Sequence, residues 1–286
     1  VIGLDGLSPS IVSRLLKSGD LPNLARLREQ GGYSEIATTR PALTPVAWST
    51  FATGTNPGGH GIFDFLRRNP VNYLPDLALN RYEQKNAFLP PKAVNLRGGI
   101  PVWQILKDVG RSSTVLRCPC TYPPDPIRGR MLSGMGVPDL RGSLGTSTFF
   151  TTDTSVRPRE SENVAHLQPG DSDGTYRAFL IGPRNPKGGD LRVELRLQVD
   201  RNEQRVVIRS DGHPRELVVQ EGVWSDWLRV KFKLGLLQSI RGMVRFHFDG
   251  IGPEFALYAS PINFDPAAPF YPICEPFDYA DELSRE

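Results

Sequence analysis

Apolar residues near the start of the chain follow first a continuous pattern and then a helical one. Residues 1–4 form a short unbroken apolar run, which is typical of a buried parallel strand. Apolar residues then recur three and four apart over residues 9–19 and 21–32, which predicts two helices that end at glycines. Residues 33–39 predict a second strand. This order indicates an α/β sheet with helices packed on its faces.

Up to about residue 140 the pattern keeps alternating helices with short apolar runs. Helices are predicted over residues 45–54 and 100–110, and strands over 111–118 and 129–136. Residues 66–100 are rich in Asn, Pro and Arg, which is typical of a long surface excursion. This half of the chain is therefore expected to supply helices and core strands to one α/β sheet.

From about residue 166 onward, short runs of alternating apolar and polar residues dominate. The strictest run places five apolar side chains on one strand face: Leu191, Val193, Leu195, Leu197 and Val199. Similar runs continue to residue 262, with turn sequences such as SDG, EGVW and DG between them. The pattern predicts an antiparallel β-rich module of roughly a hundred residues.

Three segments are predicted from this change of texture. Residues 1–160 are expected to form the N-terminal part of an α/β core. Residues 161–262 are expected to form a β-rich module inserted into that core, and residues 263–286 a return segment toward the rest of it. The last segment is Pro-rich and is not typical of a domain end, so further core sequence is expected beyond it.

Charge and cysteine content narrow the classes of function. Lys and Arg total 34 against 31 acidic residues and are dispersed, which argues against a nucleic-acid partner. Three cysteines cannot form a disulfide framework, which favours a reducing compartment such as the cytoplasm. Cys118 and Cys120 could share a strand face as a metal pair, but two ordinary thiols are the favoured interpretation.

Membrane and targeting segments are not visible in the sequence. No apolar run approaches the length of a membrane helix, so no stable membrane span is expected. The chain begins at Val1 inside an apolar run and without an initiating Met, so upstream residues are expected to be missing. A periplasmic location therefore stays open, and so does the oligomeric state.

Two segments carry candidate chemistry, and the first is VIGLDG. Asp5 follows the predicted strand at its C-terminal end, where open α/β sheets bind ligands. Gly6 after it allows the backbone to come close to a ligand. A strand-end carboxylate is also a common helix cap or turn former, so Asp5 is either a metal ligand or a local structural residue.

The second segment is PALTPVAWSTFATGTNPGGHGIFDF, in which Thr44 directly precedes a predicted helix. One interpretation is an ordinary Thr N-cap followed by Pro45. In the other, the Thr44 hydroxyl lies beside backbone N–H groups and the positive end of the helix dipole, which suits attack on a phosphate. A threonine alcohol needs a nearby divalent cation to become a nucleophile at neutral pH.

These segments together resemble the type I phosphodiesterase/nucleotide pyrophosphatase family of the alkaline phosphatase superfamily. Asp5 matches the metal-binding Asp at the end of the family's opening strand. Thr44 matches the nucleophile, ten positions before Gly54 of a TG…P…HGI signature. The rest of that signature is present as Pro57, His60, Gly61 and Ile62. WSDWLRVKF and PINFDP, further along the chain, resemble the bacterial branch of the family.

The resemblance implies a three-layer α/β/α alkaline-phosphatase-like core and a metal-dependent hydrolase of small phosphate esters. Two divalent ions, zinc or else manganese, would lie roughly 4 Å apart, with Asp5 and Thr44 as ligands. Thr44 would attack phosphorus in line and form a phosphothreonine, which water at the other ion would hydrolyse. The remaining ligands are expected outside this chain, so this piece alone is expected to be inactive or barely active.

Two departures from the family pattern bear on substrate and metal. Nucleotide pyrophosphatases carry an Asn 21 positions after the nucleophile, where this chain has Phe65, which cannot donate a hydrogen bond to phosphate. Asp64 beside it receives no role, because a carboxylate repels phosphate unless it is bound to metal. The family's later Asp and His motifs are not found in the sequence, and truncation explains this most simply.

Histidines and tryptophans favour structural roles in this sequence. Metal-ligand spacing is not seen at any of the four histidines, His60, His166, His213 and His247. Trp48 and Phe51 lie three apart on a predicted helix and are expected to pack against the sheet. Trp224 and Trp227 are expected in a core or an interface, with glycan binding as the alternative.

Other functions compete with a phosphoesterase. A sulfatase needs Cys or Ser in a C/S-x-P-x-R context, which LTPVAW lacks, and phosphoglycerate mutase relatives use Ser. TGTNPGG is not a P-loop, because no Gly-Lys-Ser/Thr follows. The alternative from another class is a non-catalytic relative that binds a phosphorylated or glycan ligand through the β-rich module.

Overall fold

The structure is a computed structural model that describes the chain except for residues 84–91, 159–161, 173, 187, 212–214, 236–237, 253 and 286. The described helices are α1 (Pro9–Ser18), α2 (Pro22–Gln30), α3 (Thr44–Thr53), α4 (Pro57–His60), α5 (Val102–Asp108) and α6 (Tyr279–Leu283). The described strands are β1 (Leu66–Arg68), β2 (Pro75–Leu77), β3 (Asn80–Glu83), β4 (Lys92–Asn95), β5 (Ser113–Leu116), β6 (Gly129–Leu132), β7 (Ser147–Thr151), β8 (Glu162–His166), β9 (Gln168–Pro169), β10 (Thr175–Arg184), β11 (Asp190–Asp200), β12 (Arg205–Ser210), β13 (Leu217–Gln220), β14 (Leu228–Lys233), β15 (Ser239–Val244), β16 (Phe246–Ile251), β17 (Phe255–Ala259), β18 (Asn263–Phe264) and β19 (Cys274–Glu275). Helix accounts for 17% of the residues and strand for 35%, so the chain has the mixed α/β class that its sequence predicts.

Two compact units divide the chain. Unit 1 comprises Val1–Gly136 and Ile273–Phe277, and unit 2 comprises Val137–Pro272 and Asp278–Glu286. Of the described elements, unit 1 holds α1 to α5 with the short strands β1 to β6 and β19, whereas unit 2 holds β7 to β18 and α6. The insertion of a module over residues 161–262 stays a prediction.

The two predicted N-terminal helices are present in unit 1. α1 begins at Pro9, whose fixed φ suits a first helical position, and it ends at Gly19 in the left-handed conformation with φ 80°. α2 begins at Pro22 and ends at Gly31. The start and stop of α1 and the glycine stop of α2 are therefore the ones read from the sequence, whereas α2 starts one residue later than predicted. Among the described residues, no helix combines the length and apolar character needed to cross a membrane.

The strands predicted over residues 1–4 and 33–39 do not form. Ile2 is 93% exposed and Ile36 is 87% exposed, and neither run pairs with another strand in the described part of the chain. A strand is stable only where a neighbouring backbone satisfies its N–H and C=O groups. Both predictions are wrong here because the apolar pattern is present without a described neighbour.

The two core strands predicted before residue 140 form as β5 and β6. They pair in parallel, and β19 pairs antiparallel along the other edge of β6. Met131 on β6 is fully buried and clusters with Ala52 of α3 and Trp103 of α5. This apolar cluster fixes α3, with its candidate nucleophile at the N-terminus, within unit 1.

The predicted surface excursion over residues 66–100 is more ordered than its sequence indicates. β1 pairs with β2 and β3 pairs with β4, both antiparallel. Leu79 and Ala93 are buried, so part of the segment reaches the core. Strands of three or four residues give too short an alternation to be recognised in a polar, Pro-rich sequence.

Antiparallel strands build the largest sheet of unit 2, in the order β13–β12–β11–β10–β9. All five apolar residues predicted to share a face of β11 are buried: Leu191, Val193, Leu195, Leu197 and Val199. Two further sheets follow the orders β14–β15–β18 and β16–β17–β7–β8, and β7 pairs with β8 in parallel. Period-two alternation therefore located β11 and its buried face correctly.

Candidate functional site

Helix α3 begins at Thr44, one residue earlier than the sequence predicts, with Leu43 in the N-cap position. The Leu43 carbonyl accepts hydrogen bonds from the N–H groups of Val46 (3.0 Å) and Ala47 (2.9 Å). Pro45 has no N–H to offer. Among described residues the Thr44 N–H has no acceptor, so the expected group of free amides is reduced to one. The positive end of the helix dipole still faces this position.

The fold brings the two predicted site residues together. The Thr44 hydroxyl donates a hydrogen bond to Asp5 Oδ2 over 3.0 Å, across 39 positions of sequence. Asp5 is exposed in a turn directly after the N-terminal apolar run, and Thr44 is half-buried. Because the hydroxyl proton points at the carboxylate, the oxygen lone pairs of Thr44 face away from Asp5.

Trp48 is a third member of this site that the sequence analysis did not place there. Its indole Nε1–H donates to Asp5 Oδ1 over 3.0 Å, so each carboxylate oxygen of Asp5 has its own donor. Trp48 also contacts Phe51 edge-on, with ring centroids 5.6 Å apart. The available signal was its spacing, because Trp48 lies four residues after Thr44 and so shares its helix face.

Asp5 Oδ2 and Thr44 Oγ1 are spaced as two ligands of one cation. Oxygens that lie about 2.1 Å from a common ion are roughly 3.0–3.4 Å apart in octahedral or tetrahedral geometry, and the observed separation is 3.0 Å. The pair therefore fits a divalent metal. Within the described residues, no group of three or more His, Cys, Asp or Glu side chains could hold one.

His60 of the signature is a buried structural residue, as predicted. Its Nδ1 accepts from the Ile62 N–H over 3.1 Å, so the ring proton is on Nε2, which donates to Thr50 Oγ1 at 2.9 Å. Burial, and then the positive charge of Arg97, hold the pKa of His60 below its ordinary value. A neutral imidazole thus ties the turn at residue 62 to α3.

The remaining signature residues shape the chain after α3. Gly54 ends α3 in the left-handed conformation with φ 66°. The Asn56 side chain accepts from the Gly59 N–H over 3.1 Å and caps α4, whose first residue is Pro57. Gly61 ends α4 with φ 74°. These residues form a turn scaffold and offer no ligand to the Asp5–Thr44 pair.

A buried ion pair supports this part of unit 1. Arg97, whose side chain is 3% exposed, donates to Asp125 Oδ2 at 2.7 Å and to the Cys120 carbonyl at 3.0 Å. The indole N–H of Trp103 donates to the same Asp125 oxygen at 2.9 Å. With its charge compensated in this way, Arg97 holds the loop after β4 in place.

Cys118 and Cys120 lie in surroundings that favour the protonated thiol. Burial raises the pKa of Cys118 to about 11 and that of Cys120 to about 12, and a metal ligand must be the thiolate. The Cys120 thiol donates to the Pro45 carbonyl over 3.8 Å. The favoured interpretation of two ordinary thiols therefore agrees with their environment.

Phe65 occupies apolar surroundings at the position where the related nucleotide pyrophosphatases carry Asn. Its ring packs against the cluster of Ile62, Leu79 and Cys120. Asp64 beside it is exposed and accepts a hydrogen bond from the Phe65 N–H at 2.6 Å. The side chain at this position offers no donor to a phosphate.

Of the other histidines, the structure describes His166 and His247, both of them in unit 2. His166 is exposed at the end of β8. His247 bonds Asp249 Oδ1 through Nδ1 at 2.6 Å. His213 lies outside the described residues.

Trp224 and Trp227 flank one arginine in unit 2. The guanidinium of Arg245 lies 5.7 Å from the ring centroid of Trp224 and 5.5 Å from that of Trp227, and it donates to the Ser225 carbonyl at 2.8 Å. Cation–π contacts of this kind stabilise the connection between β13 and β14. The Trp224 ring also lies 5.3 Å from the His247 ring and 5.6 Å from the Tyr258 ring, which favours the structural interpretation of Trp224 over glycan binding.

Comparison with known proteins gives one match. The family model for type I phosphodiesterase / nucleotide pyrophosphatase matches residues 1–180, which is more than half of the chain. The matched range contains Asp5, Thr44, Trp48 and the complete signature after α3. No curated protein and no solved structure matches the chain significantly.

Proposed function

The chain belongs to the type I phosphodiesterase / nucleotide pyrophosphatase family, and from this premise we propose a metal-dependent phosphoric ester hydrolase that acts through a phosphothreonine at Thr44. The family implies hydrolysis of the phosphodiester or pyrophosphate type. The observation that carries the proposal is the hydrogen bond between Thr44 Oγ1 and Asp5 Oδ2 at 3.0 Å. It joins the two residues that the family motif singles out.

Thr44 is proposed as the nucleophile because its hydroxyl is oriented and partly accessible. Its proton points toward Asp5, so the lone pairs are free to approach phosphorus. The bond from Oγ1 to phosphorus forms as the bond to the leaving oxygen breaks, and the leaving group departs with that electron pair. Attack by water then breaks the bond to Oγ1 and releases phosphate from a monoester, or a phosphomonoester from a diester. Over the two steps the Thr44 proton departs with the leaving group as its alcohol or acid, and one proton of the water restores the hydroxyl.

Asp5 and Thr44 are proposed to hold a divalent metal ion, zinc or else manganese, as one of two such ions. When bound, the ion would lower the pKa of the alcohol and neutralise negative charge on the phosphoryl group. The spacing of the two oxygens supports this assignment. The additional ligands that two ions require are not found among the described residues.

A small phosphate ester is the proposed substrate. Phe65 supplies no hydrogen-bond donor to a phosphoryl oxygen, and the first turn of α3 supplies one backbone N–H. Substrate discrimination of the kind used by nucleotide pyrophosphatases is therefore weakened at this position. Comparing the hydrolysis rates of a monoester and a diester measures which of the two the protein prefers.

We also propose how the layers of the core and the β-rich module are arranged along the chain. Residues 1–160 would belong to a three-layer α/β/α core, with residues 161–262 inserted as an antiparallel module. The parallel pairing of β5 with β6 supports the first part. The antiparallel registers from β10 to β13 support the second.

The test is an ester-hydrolysis assay on the full-length gene product with added zinc or manganese. The substrates are p-nitrophenyl phosphate and bis-p-nitrophenyl phosphate, whose relative rates separate monoesterase from diesterase activity. Replacing Thr44 with Ala is expected to lower kcat by at least about 10³-fold, because the nucleophile is lost. Trapping of a radiolabelled phosphothreonine in the wild type would show the intermediate directly.

The matched control is Thr53→Ala at the other end of α3. The Thr53 hydroxyl bonds the Ser49 carbonyl at 2.7 Å, so this variant loses a threonine hydroxyl from the same helix and is expected to keep its activity. Equal activity of Thr44→Ala and wild type would overturn the nucleophile. Absence of both turnover and bound metal in the wild type would favour a non-catalytic relative that binds phosphorylated ligands.

A further inference from the structure

We propose that Trp48 is a positioning residue that fixes the carboxylate of Asp5 for metal binding. The inference rests on the proposed function and extends it to a residue that touches neither metal nor substrate. The indole Nε1–H donates to Asp5 Oδ1 at 3.0 Å, and Oδ2 is left toward Thr44. Trp48 would thereby determine which carboxylate oxygen of Asp5 binds the metal ion and how that oxygen is oriented.

An exposed carboxylate such as that of Asp5 rotates freely unless a neighbouring group holds it. Asp5 follows an apolar run that pairs with no described strand, so its backbone is not held by a sheet. An unrestrained carboxylate rotates about χ2 and binds a cation weakly, since ordering it costs conformational entropy. A single fixed donor on Oδ1 removes that freedom. Hydrogen bonds to metal-ligating carboxylates act in this way and influence affinity strongly.

Helix α3 provides both the hydroxyl and the indole. Thr44 and Trp48 are one helical turn apart on the same face, and Asp5 bonds both of them through different oxygens. The edge-on contact with Phe51 limits rotation of the indole. Helix α3 therefore holds both Asp5 and the Thr44 hydroxyl in position.

Gly3 permits the indole to reach this position. A Cβ atom on Gly3 would lie 2.2 Å from Trp48 Cη2 and 2.9 Å from Cζ3, far inside van der Waals contact. Any larger residue at position 3 would push the ring away. Gly3→Ala is therefore expected to disturb the hydrogen bond to Asp5 without removing the indole.

The test measures zinc affinity of the full-length gene product by isothermal titration calorimetry. Trp48→Phe keeps an aromatic ring and loses the N–H donor, and it is expected to weaken zinc binding by about 10- to 100-fold. Gly3→Ala is expected to weaken it in the same direction. In steady-state kinetics, kcat should fall in Trp48→Phe with a smaller change in KM.

Trp103→Phe is the matched control. Trp103 also donates its indole N–H to an aspartate, Asp125, at 2.9 Å, and it is 3% exposed. This variant loses the same type of bond and is expected to lower the melting temperature while zinc affinity stays within twofold of wild type. A fall in zinc affinity as large as that of Trp48→Phe would mean that general destabilisation, not positioning, causes the effect.

Nuclear magnetic resonance gives an independent reading. The indole ¹H–¹⁵N signal of Trp48 is assigned by its loss in Trp48→Phe. In the wild type this signal is expected to shift when zinc is added, and in Asp5→Asn the addition of zinc is expected to leave it unchanged. If Asp5→Asn abolishes zinc binding but a folded Trp48→Phe binds zinc as wild type does, the positioning role is wrong. If Asp5→Asn also binds zinc normally, the proposed metal site itself is wrong.

Discussion

A neutral imidazole holds together the turn that follows α3. His60 is 1% exposed, and its two ring nitrogens meet a donor at Ile62 and an acceptor at Thr50. Protonation would place a second N–H on Nδ1, directly opposite the Ile62 N–H. Burial of the charged ring, and next its repulsion by Arg97, explain why the pKa of His60 is lowered. The protonated ring would also lose the hydrogen bond from Ile62.

Stability should therefore depend on pH through His60. The pKa is lower in the folded state than in the unfolded chain, so the unfolded state binds more protons once the pH falls below about 6.5. The free energy of unfolding should decrease from pH 7.5 to pH 5, and more steeply than in His60→Asn, whose side chain does not titrate. Urea denaturation at several pH values measures this.

Between pH 7.5 and 8.5 the difference between wild type and His60→Asn is expected to stay constant, because the imidazole is neutral in both states. A difference that also stays constant down to pH 5 would contradict the assignment. The lowered pKa of His60 in the folded state would then not affect stability. The hydrogen bonds of the turn would have to be explained without a neutral imidazole.

At the scale of elements, the parallel pair β5–β6 depends on one glycine. Ser113 lies opposite Gly129, and a Cβ atom on Gly129 would lie 2.0 Å from the Ser113 carbonyl oxygen. Gly129 also has φ 131°, which side chains rarely adopt. The strand order that supports α3 therefore requires glycine at this position.

Gly129→Ala should destabilise unit 1 by at least about 2 kcal/mol, since overpacking and backbone strain act together. Gly19→Ala is the control, because Gly19 has φ 80° with open space around it, and strain alone should cost about 1 kcal/mol. Urea unfolding followed by tryptophan fluorescence reports on this unit when Trp48, Trp224 and Trp227 are replaced by Phe, so that Trp103 alone is observed. Equal losses in the two variants would show that the contact with Ser113 is relieved at no cost.

The length of a strand decided whether its hydrophobic pattern could be recognised in the sequence. β11 is eleven residues long and alternates throughout, so its buried face could be read directly. β1 to β4 have three or four residues each, too few for a period to stand out. The apolar run of residues 1–4 was typical of a strand, but a strand requires a neighbouring backbone, and that depends on tertiary structure.

For the whole molecule, the site could be predicted only in part. The candidate residues Asp5 and Thr44 were singled out because family motifs mark them, and their oxygens lie 3.0 Å apart, but their roles stay a prediction. Trp48 was missed although it shares a helix face with Thr44, because its partner is 43 positions away in sequence and an apolar helix face predicts packing first. Contacts of this range depend on the packing of whole elements, which local periodicity does not encode.

Binding of a metal ion should raise the thermal stability of the protein. A ligand that binds the folded state alone stabilises it by RT ln(1 + [L]/Kd), about 2.7 kcal/mol at one hundred times Kd. Zinc should therefore raise the melting temperature of the full-length gene product, and chelation should reverse the rise. Asp5→Asn should abolish the shift, whereas Asp20→Asn should retain it, because Asp20 is an equally exposed carboxylate of unit 1 that bonds Ser18. A shift that survives in Asp5→Asn would place the zinc elsewhere, since stabilisation by linkage requires that the mutated ligand contribute to binding.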